Sequence, residues 1–432
     1  MAPNKSSIYP EFDVIVAGGG PTGLAAAVAL GRMGLTVALA APPHRPSYQT
    51  GGAAADRRTA ALFGGSVDLL RNLDVWDVLA PMSEPLMAIR IIDDTGGLMR
   101  APEVVFKARE AGVEAFGYNV PNAAMVEALL EAARCPCSGV TVLDTAGIST
   151  LSFKDNCVLA HTQEGTLLSA RLVAAADGRG SVCRAVAGIG TQSWTYPQSA
   201  LVCSFEHSRP HRMISTEFHR PAGPFTVVPM PGLASSLVWV ETAEETARLA
   251  ALDDAEMIAA IETRLQGLLG TVRTVTPRAA FPLAGLTATV FAENRVALIG
   301  EAGHVIPPIG AQGLNLGLRD VAALADCIAA ARQNGSDIGA PDVMSAYSAA
   351  RRADVTSRIW TIDLLNRSLI TDVSIVRLAR GAGLYALQAF SPLRRLLLRE
   401  GIQPSYATPA LMQPGGLATL RRRVLGPTAG AA

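Results

Sequence analysis

Three glycine-bearing segments carry residue types that bind phosphates and flat charged rings. The first is Gly18-Gly19-Gly20-Pro21-Thr22-Gly23. In the pattern Gly18-x-Gly20-x-x-Gly23, the first glycine permits a tight turn and the second lets backbone approach a pyrophosphate. The third lets a helix pack on the strand before it, and the anion rests on free N–H groups at the helix N-terminus. The second segment is Asp177-Gly178-Arg179-Gly180-Ser181, with Arg184 downstream. It presents a carboxylate and open backbone at a strand end, although an Asp-Gly pair taken alone is an ordinary turn. The third is Gly300 to Asp320, GEAGHVIPPIGAQGLNLGLRD. Glu301 there has the acceptor oxygens for hydroxyl groups, Pro307 and Pro308 fix an extended loop, and Gly310 and Gly313 permit close approach to a flat ring. The N–H groups of Gly313, Leu314 and Asn315 begin a helix whose dipole favours negative charge. His304 is expected to pack under this loop rather than to shuttle protons.

These segments need rigid elements behind them. Phe12–Ala17 reads as a buried strand, Thr22–Met33 as a helix and Thr36–Ala40 as a second strand. That strand–turn–helix–strand unit is the setting in which a Gly-rich turn binds a dinucleotide. An acidic residue is expected to end the second strand and bind the adenosine ribose, yet Leu39-Ala40-Ala41-Pro42 has no carboxylate. Helices are expected over Arg57–Leu79, Val120–Ala133, Ala243–Leu269, Gly313–Ala331 and beyond Pro341. Strands are expected at Ala88–Ile92, through 140–176 and 194–240, and at Arg295–Ile299, with a turn at Asp94-Thr95-Gly96-Gly97. The first and third glycine segments, about 280 residues apart, then read as the two ends of one flavin site.

Composition narrows the class. A chain of 432 residues is long for one core, and 49% hydrophobic against 17% charged excludes disorder. Lys+Arg and Asp+Glu both number 37, so bulk charge predicts no nucleic-acid partner. The six cysteines include one close pair, Cys135-Pro136-Cys137, which is no zinc set. Free buried thiols in a reducing cytoplasm are expected. No stretch reads as a signal peptide or a spanning helix.

The three segments resemble the group A flavoprotein aromatic hydroxylases, over most of residues 12–335, and PPIGAQGLNL is similar to their flavin loop. Other runs look like the ubiquinone-biosynthesis flavin hydroxylases. They are Asp56-Arg57-Arg58-Thr59-Ala60-Ala61-Leu62, the run on to Trp76, Gly117-Tyr118-Asn119-Val120-Pro121-Asn122, Pro224–Pro231 with Leu237-Val238-Trp239, and Leu316-Gly317-Leu318-Arg319-Asp320. The resemblance implies FAD as cofactor and NAD(P)H as reductant, with O2 supplying an OH group to an electron-rich ring position. It implies that Gly18, Gly20 and Gly23 bind the FAD pyrophosphate, that Arg58 reaches back to the cofactor, and that Asn122 contacts the ribityl–phosphate region. Asp177 and Gly178 belong to the motif for FAD and NAD(P)H. Glu301, Pro308, Gly310, Gln312, Gly313, Leu314 and Asn315 complete the cofactor set, with Glu301 in place of the usual Asp and Gly303 in place of Ala. Phe225, Val227, Pro229 and Trp239 are candidate substrate walls, although core packing suits each of them individually. No acid–base residue and no metal are expected.

The implied fold is α/β (α+β overall). A Rossmann-like FAD-binding domain is expected over 12–85, 116–190 and 283–340. A mixed β-sheet substrate domain is expected over 86–115 and 191–282, and a C-terminal helical region with a flexible tail over 341–432. Residues 351–432 hold twelve Arg, no Lys and four acidic residues, a net charge of +8. Within them Ser391–Gly401, SPLRRLLLREG, has the composition of a surface that rests on anionic lipid or on a biosynthetic partner, or of a helix docked on the flavin domain. A cytoplasmic protein, peripheral to the inner membrane, follows as an expectation. The function read from these motifs is hydroxylation of a ubiquinone-pathway aromatic, a prenylated one. Alternatives are a soluble phenolic-acid hydroxylase, the same fold with other flavin chemistry, and a non-catalytic accessory flavoprotein.

Overall fold

The computed structural model describes residues 11–44, 58–95, 102–308, 310–370 and 408–426. The basic segment Ser391–Gly401, the Asp56-Arg57 pair and the Gly96-Gly97 end of the expected turn lie outside those residues. Among the described residues, eight strands form one sheet, nine a second and three a third.

The eight-stranded sheet is built on five adjacent parallel strands, Val296–Leu298, Leu167–Ala175, Phe12–Ala17, Val37–Ala41 and Val140–Asp144. They are short and apolar because both faces are covered. Val14, Val16, Leu39 and Ala41 pack toward the helices Pro21–Arg32, Asn122–Arg134 and Gln312–Gln333. Ile15, Ala17, Ala38 and Ala40 point the opposite way, into a second core with the short helix Val182–Val186 and the hairpin Ile148–Thr162.

The nine-stranded sheet is mostly antiparallel and centres on the long strand Thr191–His207. That strand pairs with Ala234–Thr242 on one side and Ala279–Ala288 on the other. One face is covered by the helix Asp254–Leu265. Ala279–Ala288 is continuous in this sheet, so it runs across the boundary expected at 283.

Two expected helices are corrected. In place of one helix over Arg57–Leu79 there is a strand, Thr59–Phe63, then helices Gly64–Asn72 and Trp76–Leu79. Thr59–Phe63 pairs antiparallel with Gly117–Pro121, so a partner far along the chain overrides the local helical reading. Ala243–Leu269 is two helices, Ala243–Ala251 and Asp254–Leu265. The break falls where Asp253 caps the second helix, accepting from Glu256 N at 2.8 Å while Glu256 caps Asp253 N at 3.0 Å. Cys135 and Cys137 form a disulfide in the turn after Asn122–Arg134, where free thiols were expected; their Cα atoms lie 5.3 Å apart, within bridging range. Cys183 and Cys203 are buried free thiols.

Candidate functional site

All three glycine segments meet at the C-terminal edge of the parallel strands, the edge at which open α/β sheets bind ligands. Gly18 has φ +115°, and a Cβ there would lie 2.3 Å from the carbonyl oxygen of Ala176. The first turn is thus pressed against the strand that leads to Asp177. Gly23 is equally confined, with an added Cβ 2.1 Å from the Gly18 carbonyl oxygen. Thr22 then joins the first helix to the third segment. A Cβ at Gly317 would sit 2.8 Å from Thr22 Oγ1 and 3.3 Å from Gly300 Cα. The ends of the chain's flavin-like motifs are therefore in contact.

Around this junction other glycines face open space. A Cβ added to Gly20, Gly178, Gly180, Gly310 or Gly313 would meet nothing within 4 Å. The contrast separates glycines needed for packing from glycines that leave backbone accessible to a ligand. Asn122, at the start of Asn122–Arg134, adds a buried Oδ1 with no hydrogen-bond partner among the described residues. Its backbone N–H is held 3.0 Å from the Arg58 carbonyl, which places Arg58 at the same corner. The Arg58 guanidinium lies 5.9 Å from the centre of the Phe281 ring. Open backbone, a helix N-terminus and an unspent buried acceptor fit an extended phosphate-bearing cofactor.

Other expected residues have structural engagements. Asp177 Oδ1 accepts from Ser181 Oγ at 2.5 Å and Oδ2 from Cys183 N at 3.0 Å, so this carboxylate shapes its own loop. Arg184 ties that loop to the third segment, donating to the Ala302 carbonyl at 2.8 Å and the Arg179 carbonyl at 2.9 Å. Glu301 is exposed and faces Arg179 at 4.0 Å. Pro308, Gly310 and Gly313 are exposed at the loop, with Gln312 and Leu314 half-buried behind them. Asn315 is buried and has all its side-chain valences occupied. Its Oδ1 accepts from Phe63 N at 2.9 Å and Ser66 Oγ at 2.7 Å, and its Nδ2 donates to Ala61 O at 2.8 Å and Ala311 O at 2.7 Å. Only its backbone remains available. The side chain instead secures Ala311, a non-glycine residue at φ +54° that launches the helix.

The four expected substrate walls do not gather at this corner. Phe225, Val227 and Trp239 lie in the core under Asp254–Leu265, with the Phe225 and Trp239 rings edge to face at 5.0 Å. Strand alternation puts Thr226, Val228, Ser236 and Val238 on the other face. That face meets the three-stranded sheet, because Ser236 Oγ lies 3.0 Å from Thr59 Oγ1. Pro229 is buried, and its carbonyl accepts from Asn119 Nδ2 at 2.8 Å.

Behind the loop lies a buried ionic network that the sequence reading did not assign. Asp320 accepts from Gly300 N at 2.8 Å, His304 Nε2 at 2.7 Å and Arg351 Nε at 2.7 Å. His304 is therefore packed under the loop, as expected. Asp354 accepts from Arg319, Arg351 and Arg358, and Arg358 Nη1 donates to Gln312 Oε1 at 2.6 Å. Burial alone would push the Asp354 carboxyl up, but Arg351, Arg319 and Arg358 outweigh it and hold the carboxyl well below its ordinary range. The helix Pro341–Ile370 thus clamps both ends of the third segment. The i, i+3, i+7 spacing of Arg351, Asp354 and Arg358 was the one local signal of this role.

Comparison with known proteins agrees with the geometry. Residues 11–359 match the FAD binding domain family. The chain is 37% identical over 401 residues to the ubiquinone hydroxylase UbiL of Rhodospirillum rubrum, covering 93% of this chain and 91% of that one. It is 30% identical over 393 residues to the 3-demethoxyubiquinol 3-hydroxylase of Escherichia coli, covering 90% and 98%. Its fold matches the p-nitrophenol 4-monooxygenase of Pseudomonas putida with a TM-score of 0.72 at 20% identity, over 92% of this chain and 99% of that one. The chain belongs to the FAD binding domain family, and within it to the FAD-dependent aromatic monooxygenases.

Proposed function

We propose that this chain hydroxylates the aromatic ring of a ubiquinone-biosynthesis intermediate, using FAD, NAD(P)H and O2. The observation that carries the reading is the meeting of three glycine segments at one sheet edge, with open backbone at Gly20, Gly178 and Gly313. The similarity to two ubiquinone-pathway hydroxylases along nearly their whole length supports the substrate class.

FAD, when bound, would supply the redox chemistry that couples NAD(P)H oxidation to transfer of one oxygen atom of O2 to the ring. The chain's own residues bind and orient. The Rossmann-like unit around the eight-stranded sheet is the FAD-binding domain, and the nine-stranded sheet is the substrate domain. Gly18 and Gly23 hold the turn, and Gly20 and the start of Pro21–Arg32 bind the pyrophosphate. Asn122 Oδ1 accepts from a ribityl hydroxyl, with Arg58 beside it. Asp177 and Gly178 shape the second loop, and Glu301 reaches the ribityl chain from its rim. The N–H groups of Gly313, Leu314 and Asn315, at the positive end of a long helix, would favour negative charge on a reduced ring bound beside them. Pro308, Gly310 and Gln312, with the face of the substrate sheet that carries Thr226 and Val238, would enclose the ring substrate and exclude water.

Among the described residues no helix is long and apolar enough to cross a membrane. A prenylated substrate then calls for a peripheral position at the membrane surface, or for a biosynthetic complex that delivers it. Purified chain is expected to carry a yellow flavin that NAD(P)H bleaches without oxygen, faster with a prenylated phenol than with small phenolic acids. Acceleration by small phenolic acids alone would remove the prenylated substrate.

A further inference from the structure

The adenosine end of the cofactor site poses a specific question, because Ala41 ends the strand on which a ribose-binding carboxylate is expected. The adjacent parallel strand answers it. Asp144 ends Val140–Asp144 and is the register partner of Ala41. Partners in a parallel pair point to the same face, and neighbouring strands lie about 4.8 Å apart. The face is the one turned to the glycine turn. A Cβ at Gly19 would stand 2.7 Å from the Ala41 Cβ, and Leu39, Ala41, Val140 and Val142 all pack toward the helix Pro21–Arg32. Gly19, Ala41, His44, Arg134 and Asp144 line one small cavity there. Asp144 itself is exposed at its mouth.

We propose that Asp144 supplies the carboxylate that accepts hydrogen bonds from the adenosine ribose hydroxyls of FAD, displaced by one strand from its expected place at residue 41. The inference rests on the FAD reading above and adds the residue that recognises the adenosine half. Ala41 fits this arrangement. Its methyl lies against Gly19 and adds no polar group of its own to the strand end. A side chain as long as Glu at 41 would place a second carboxylate in the same cavity.

The test is flavin binding by the full-length apoprotein, read as quenching of flavin fluorescence, with FAD and FMN as separate probes. FMN lacks the adenosine half. D144N is expected to bind FAD about tenfold to a hundredfold more weakly, the range for hydrogen bonds to a charged group, and FMN as tightly as the parent does. A41E in the D144N background is expected to recover most of the lost FAD affinity. Unchanged FAD affinity in D144N, an equal loss of FAD and FMN, or failure of A41E to restore binding would each overturn the proposal. A parent chain that bound neither flavin would overturn the FAD reading itself, and this inference with it.

Discussion

Gly20→Val is expected to abolish FAD retention while leaving the stability of the apoprotein within about 1 kcal/mol of the parent. The two effects separate because the added Cβ meets no protein atom beyond its chain neighbours. A Cβ at Gly20 has nothing within 4 Å, and the residue sits at φ −73° and ψ 171°, extended backbone open to any side chain. The valine would occupy only the space assigned to the pyrophosphate. Gly23→Val provides the contrast, since its Cβ would fall 2.1 Å from the Gly18 carbonyl oxygen. That collision is with backbone, so a loss of about 3 kcal/mol in folding stability is expected, at the upper end for overpacking. Thermal melts of both apoproteins, beside flavin content after gel filtration, check the pair. Equal destabilisation by the two variants would mean that Gly20 serves packing and not a ligand.

Asp320→Ala is expected to cost about 3–5 kcal/mol of stability, the range for removing one partner of a buried ion pair. Asp320 is fully buried, and its carboxylate holds Gly300 N, His304 and Arg351 together. Without it the Arg351 guanidinium, 2% exposed, keeps only Asp354 as an ion-pair partner among the described residues. The turn at Gly300 also loses its anchor, so FAD affinity is expected to fall along with stability. A second variant distinguishes the charge from the volume. Asp320→Leu combined with Arg351→Met removes both charges and replaces them with apolar groups. It is expected to be more stable than the sum of the two single changes. Chemical denaturation of the four proteins measures this directly, and strict additivity would show that the pair is not coupled.

Much of the dinucleotide-binding half was legible because its signals are local. FDVIVA is a short apolar run before glycines, and Pro21–Arg32 follows it at once. The substrate half was less so. Thr59–Phe63 read as helix because its partner, Gly117–Pro121, is more than 50 residues away. Alternation shows that Phe225, Val227 and Pro229 share one face, but sequence cannot say which face a helix covers. Asp254–Leu265 covers theirs. The network of Asp320, Arg351, Asp354 and Arg358 comes from two helices that meet only in the folded chain. Arg319 and Asp320 stood in a motif, yet nothing in the motif indicated what they bind. Asp144 is the same kind of case. It lies more than 100 residues from Ala41 in sequence and one strand away in space.

The central claim is oxygen transfer to a ubiquinone-pathway ring. Its most direct measurement is isotopic. The purified chain, supplied with FAD and NAD(P)H, is given a prenylated phenolic precursor under 18O2, and the product is weighed by mass spectrometry. One 18O atom in a new ring hydroxyl, with one NAD(P)H consumed per product, is the expected result. Oxidation of NAD(P)H that yields only hydrogen peroxide with every such precursor, and no labelled ring, would contradict it.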